Sequence, residues 1–72
     1  MLGDCMKFYF TFDFYSPHKG KYVSVEANSW PDAHNIMIQR YDSYQYQYTE
    51  EDFIKVLEQY PNLELLEEIC YE

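Results

Sequence analysis

Chemistry in this sequence would have to come from two histidines, two cysteines, thirteen acids and a row of tyrosines. His18 falls in a turn-like stretch and His34 in a helical one, and neither belongs to a His-x-x-x-His pair. Asp32 and His34 are close in sequence, but a metal site needs three or four converging ligands, and no further donors stand at metal-binding spacing. Asp13 and Glu26 fall on facing strands. A desolvated carboxylate pair there would have a raised pKa; set beside Lys7 or Lys21 in water they are ordinary surface acids. With only two glycines there is no phosphate-cradling loop. Cys5 and Cys70 sit at opposite ends of the chain with no CxxC spacing, which suits free thiols in a reducing compartment; a Cys5–Cys70 disulfide would require adjacent terminal strands and oxidising conditions. Catalytic sites depend on several such groups converging in a cleft, and a chain of 72 residues encloses little volume. The expectation is a protein that is not an enzyme, with no cofactor and no metal.

Charge is the stronger signal. Asp42, Glu50, Glu51, Asp52, Glu58, Glu64, Glu67, Glu68 and Glu72 face a single base, Lys55, so this final stretch holds the whole net charge of −8. In the first 41 residues Asp4, Asp13, Glu26 and Asp32 are balanced by Lys7, Lys19, Lys21 and Arg40. A field of this sign attracts basic proteins and repels nucleic acid and anionic membranes.

These side chains must be positioned by a small number of elements. Lys7 to Tyr15 alternates without a break, with Phe8, Phe10, Phe12 and Phe14 on one face and Tyr9, Thr11, Asp13 and Tyr15 on the other, which predicts a half-buried strand. Ser16-Pro17-His18-Lys19-Gly20 is turn chemistry. Lys21 to Ala27 resumes the alternation with Val23, Val25 and Ala27 inward, so the two runs predict a hairpin. Ser29-Trp30-Pro31-Asp32 is a helix start, and Ala33, Ile36, Met37 and Tyr41 form the apolar stripe of a helix from about Trp30 to Tyr41. Tyr44-Gln45-Tyr46-Gln47-Tyr48 alternates again and is read as a third strand. Thr49-Glu50-Glu51-Asp52 is a second capping box, opening a short helix with Phe53, Val56, Leu57 and Tyr60 on its stripe. Leu63 to Ile69 suits a strand or a helix; a strand ending near Glu67 is preferred, because it would pair an otherwise bare sheet edge. The expectation is one α+β domain over residues 1–72, a two-layer fold. Its small antiparallel or mixed sheet, in the order β-β-α-β-α-β, carries both helices on the Phe face.

That arrangement leaves Tyr9, Tyr15 and Tyr22 on the outer face, with Tyr44, Tyr46 and Tyr48 beside them. Tyrosine offers contact area at low entropic cost and is enriched at interfaces; the same rings equally well pack on one another as cross-strand pairs. Single-stranded nucleic-acid binders also stack bases on sheet aromatics, but they need a basic groove, and five basic residues stand against thirteen acids. Glu50, Glu51 and Asp52 complement a helix dipole. Asp42, Glu58, Glu64, Glu67 and Glu68 have no such local reason, and spaced carboxylates can imitate a row of phosphates. A solvated acidic face that keeps the protein soluble is the plain alternative.

The stretches Lys7 to Phe12, Gly20 to Ala27 and Gln47 to Phe53 resemble a pattern in small phage and prophage proteins of Gram-positive bacteria. In size, acidity and architecture the chain is similar in general character to anti-CRISPR and other anti-defence proteins. The resemblance implies an inhibitor acting in the host cytoplasm on a basic, nucleic-acid-binding host protein such as a CRISPR nuclease. The acidic balance, for its part, leads us to expect no direct nucleic-acid or membrane contact. The expected contact residues are Asp42, Tyr44, Tyr46, Glu58, Glu64, Glu67 and Glu68. The alternative is a small homodimer or other homo-oligomer associating through the Tyr-rich sheet face.

Overall fold

The alternation of rings and polar residues along Lys7 to Thr11 produces strand β1 (Met6–Thr11), which pairs antiparallel with β2 (Lys21–Ala27), Phe8 opposite Val25 and Phe10 opposite Val23. The computed structural model describes residues 6–70. Helix α1 (Trp30–Tyr41), strand β3 (Tyr46–Thr49), helix α2 (Glu50–Gln59) and strand β4 (Glu64–Ile69) complete an α+β fold. The single four-stranded mixed sheet has the order β3-β1-β2-β4, with β3 antiparallel to β1 and β4 parallel to β2. Both helices begin where the capping residues stand. The Ser29 hydroxyl accepts from the Asp32 backbone N–H at 3.4 Å, and the Thr49 hydroxyl accepts from the Asp52 N–H at 3.2 Å.

Phe8, Phe10 and Phe12 from β1 and its continuation, Val23, Val25 and Ala27 from β2, and Ala33 and Met37 from α1 form the main core. Phe10, Val23 and Met37 are fully enclosed, and removing a side chain of that size from water stabilises the fold by about 1.5–3 kcal/mol. Trp30 closes one end, its ring edge-on to Phe8 at 5.6 Å.

Helix α2 lies on the other face, contrary to the expectation that both helices share the Phe face. Phe53 is buried and its ring stacks parallel on Tyr9 at 4.5 Å, with Tyr22 at 4.9 Å and Tyr48 at 5.8 Å. The sheet is therefore covered on both sides. Chain handedness explains this. Strands β2, β3 and β4 all point the same way, so β2-α1-β3 and β3-α2-β4 are both parallel crossovers. The first crosses the sheet in one direction and the second crosses back. Such connections are nearly always right-handed, and two right-handed crossovers of opposite direction must use opposite faces.

Strand β1 also ends sooner than its alternation suggests. The Asp13 carboxylate accepts from the Tyr15 N–H at 2.9 Å, and the Ser16 N–H donates to the Asp13 carbonyl at 3.1 Å. Local bonding of this kind competes with a sheet ladder. It turns Phe14 outward, 75% exposed, while the hairpin register pairs Glu26 with Lys7 and so keeps it from Asp13. Gly20 completes the turn at φ 78°, a conformation open to glycine at little cost. The Ser24 hydroxyl, expected to face solvent, is enclosed on the tyrosine side and has no hydrogen-bond partner among the described residues. Cys70 is exposed with a free thiol, while Cys5, and with it the question of a Cys5–Cys70 bridge, lies outside the described residues.

The placement of α2 makes Phe53 a core residue and Phe14 a surface one. Phe53→Ala is expected to lower unfolding stability by roughly 3 kcal/mol, against no more than about 0.5 kcal/mol for Phe14→Ala. Urea unfolding followed by circular dichroism measures both, and equal effects would contradict the assignment of faces.

Candidate partner-binding surface

The register of the sheet gathers acids at one end. Lys7 and Glu26 are cross-strand neighbours on the tyrosine side of β1 and β2. The parallel pairing of β4 sets Glu68 beside Ser24 of β2, and the Glu68 carboxylate reaches the Lys7 ammonium at 3.7 Å. Thr49 pairs with Phe8, so the first turn of α2, with Glu50, Glu51 and Asp52 exposed, starts at this same end. A cleft of about 510 Å³ opens there, lined by Met6, Lys7, Phe8, Glu26, Thr49 and Glu50. Among the described residues Lys7 is thus the one base set among carboxylates from three elements. Its pKa is raised, most by the neighbouring Tyr9 phenol and then by Glu68, Glu26 and Glu50, against partial desolvation. Burial raises the Tyr9 pKa in turn, with Lys7 opposing. The protonated lysine and the N-terminal dipole of α2 offset only part of the negative charge.

Of the acids expected to bind a partner, Glu68 belongs to this end and Glu67 does not. A bulge in β4 between its pairings with Tyr22 and Val23 turns Glu67 toward the Phe side, where α1 lies. There it is held by the Arg40 guanidinium through both carboxylate oxygens, and the Tyr41 hydroxyl donates to it at 2.5 Å. These hydrogen bonds, Tyr41's first and then Arg40's, hold the Glu67 carboxyl below the usual carboxylate range. Burial, reinforced by the bond to Glu67, pushes Tyr41 up to about 12. Glu67 is therefore a clasp between β4 and α1 rather than a free contact.

Asp42, Glu58 and Glu64 are exposed and lie toward the opposite end, where α1 and α2 finish and β4 begins. None has a base within ion-pair distance among the described residues. Asp42 follows α1 at φ 69°, its N–H bonded to the Ile38 carbonyl, and Glu58 sits in the last turn of α2, which contains no base. Both acids oppose a helix dipole. Tyr44 is not a free anchor either. Its ring packs edge-on against Phe10 at 4.7 Å, and its hydroxyl is within hydrogen-bond reach of His34 Nδ1 at 2.6 Å and of Gln47 Oε1 at 3.3 Å. Burial raises its pKa. Tyr46, by contrast, remains 57% exposed.

The seven expected contact residues thus do not form one patch. Glu26 and Glu50, by their sequence context a surface acid and a helix-capping acid, join Glu68 instead. The available signal was the strand register, since the hairpin places Glu26 opposite Lys7 and the Thr49 cap anchors Glu50 to the same row. Among the described residues no three His, Cys, Asp or Glu side chains are grouped to hold a metal ion, and no helix is long and apolar enough to cross a membrane. Comparison with known proteins finds no family model, no curated protein and no solved structure that matches this chain.

The clasp has a pH signature of defined sign. The depressed Glu67 pKa contributes stability that is present above the unfolded carboxyl value of 4.5 and is lost as pH falls through the lower folded value. The raised Tyr41 pKa contributes stability that is present below the phenol's ordinary value of 10.0 and is lost as pH climbs toward about 12. Thermal melts from pH 2 to 12 should therefore show Glu67→Gln flattening the acid limb and Tyr41→Phe flattening the alkaline limb. Melts of both variants that kept the wild-type pH dependence would exclude this role. For Asp42, replacement by glycine relieves both the positive φ and the repulsion from the helix end. Asp42→Gly should raise stability by about 0.5–1 kcal/mol in urea unfolding.

Proposed function

We propose that this chain is a non-enzymatic interaction protein, an acidic inhibitor that seats the end of its sheet carrying Glu26, Glu50 and Glu68 in the basic, nucleic-acid-binding surface of a partner protein. The observation that carries the reading is the convergence of these three carboxylates, from β2, α2 and β4, around Lys7, the one base beside them among the described residues. Like charges brought together with one counter-charge raise the energy of the free protein, and a cationic surface lowers it. Carried by two strands and the start of a helix, they present a negative surface rather than a point contact. The resemblance to small phage proteins makes a defence nuclease of the bacterial host, such as a CRISPR nuclease, the partner class, with the cytoplasm of that host as the site of action. Direct nucleic-acid binding is disfavoured by the net charge of −8.

Self-association through the Tyr-rich sheet face is the weaker reading, because a second copy would have to displace α2 and unstack Phe53 from Tyr9.

Affinity capture from a Gram-positive host lysate tests the proposal. The wild-type protein is expected to retain a nucleic-acid-binding protein that is released by rising salt, since the Debye length shrinks to about 8 Å at 0.15 M, and by added duplex DNA or RNA. Substituting Glu26→Gln, Glu50→Gln and Glu68→Gln together should weaken retention at least tenfold with an unchanged circular dichroism spectrum. Retention indifferent to the substitutions and to competing nucleic acid would overturn the reading.

A further inference from the structure

At the end of the tyrosine side away from Lys7, helix α2 runs out and the face opens into a groove of about 640 Å³. Its walls include Phe14, Tyr46, Tyr48, Tyr60 and Leu63, with Lys19 at the rim. Phe14 is 75%, Tyr46 57% and Tyr60 60% exposed. A cluster of exposed rings this large on so small a chain marks an interaction site rather than ordinary surface. The occupant is indicated by what already sits there. The Lys19 ammonium lies over the Phe14 ring, 4.8 Å from its centroid, so the aromatic wall holds a cation in the free protein. The surroundings favour positive charge as well. The last turn of α2, whose Val56 lines the groove and whose cap residue Tyr60 does too, carries Glu58 and no base, so the negative end of the helix dipole there is uncompensated.

We propose that this groove receives an arginine side chain of the basic partner, stacked against Tyr46, Tyr60 and Phe14 after Lys19 swings aside. The inference rests on the proposed function for the partner's basic character and adds a second, aromatic contact at the opposite end of the same face. A planar guanidinium suits the site better than an ammonium, because it stacks flat on rings while the N–H groups at its edge remain free to donate. Tyrosine and arginine are also, with tryptophan, the residues enriched among those that dominate interface energies. Tyr46 thereby takes a place in binding, although it lies far from Glu68.

The test uses the intact protein and two probes, the capped tripeptide Gly-Arg-Gly and the same peptide with norleucine in place of arginine, titrated by amide NMR. The arginine peptide should shift the amides of Phe14, Tyr46 and Tyr60 and bind about two- to fivefold more tightly than the norleucine peptide, the range expected of an exposed cation–π contact. Lys19→Gln, which vacates the wall, should strengthen arginine binding. Tyr60→Leu should abolish the preference for arginine and Tyr60→Phe should keep it. Equal binding of the two peptides would make the groove merely apolar and overturn the proposal, as would arginine-induced shifts confined to the Glu26, Glu50 and Glu68 end. A concentration-dependent dimer in sedimentation that Phe14→Ser dissolves would assign the groove to a second copy and overturn it too. No host protein enters these titrations. Their failure alongside charge-sensitive capture removes only the groove, and the reverse result removes only the acidic end.

Discussion

Strand β1 carries large rings on both faces, Phe8 and Phe10 on one and Tyr9 on the other, and the remaining elements are arranged to keep both sets from water. An interior strand of this kind needs a layer on each side. The order β3-β1-β2-β4 provides it, because the chain crosses from β2 to β3 and then back from β3 to β4. Handedness assigns the two crossing helices to opposite faces. Met37 and Ala33 seal the phenylalanine side, and Phe53 alone is buried from α2 on the tyrosine side. The two layers are unequal. The first is an aliphatic and aromatic core; the second is one ring stacked among three tyrosines, short enough that the face stays open past the end of α2.

The same topology distributes the charge. Because α2 starts and β4 finishes at one end of the sheet, acids separated by almost twenty residues in the chain, Glu50 and Glu68, meet across Lys7, and Glu26 from the balanced half of the sequence joins them. Meanwhile the bulge in β4 withdraws Glu67 to the other side, where Arg40 and Tyr41 consume its hydrogen-bonding capacity. Electrostatic free energy depends on distance and on the medium between charges, so a count along the chain measures the field at long range and says little about which carboxylates act together.

Much of the architecture was legible because it depends on neighbours in sequence. Ser29 and Thr49 bond to N–H groups three residues on, the Val23 to Ala27 alternation requires only a pleated strand, and the stripe through Ala33 and Met37 requires only helical spacing. The strand reading of Leu63 to Ile69 held, extending two residues past Glu67. Errors arose where a local bond cut across a pattern, as when the Asp13 carboxylate drew the backbone out of the ladder and left Phe14 exposed. They arose again where one side of the sheet was assumed to take both helices. Of the expected contact residues, the exposure of Tyr46, Asp42, Glu58 and Glu64 could be read from their polarity, but the uses of Tyr44 and Glu67 could not.

What the sequence by itself determined was the set of elements, their order, the caps that start both helices and the sign of the protein's long-range field. Each of these follows from interactions a few residues long or from composition. Only the tertiary structure decided which face α2 covers, that Glu67 is a clasp, that Glu26, Glu50 and Glu68 converge, and that an aromatic groove opens beyond Tyr60. Those outcomes depend on strand order, crossover hand and a single bulge, which set the distance between residues remote in the chain and leave no periodic trace along it.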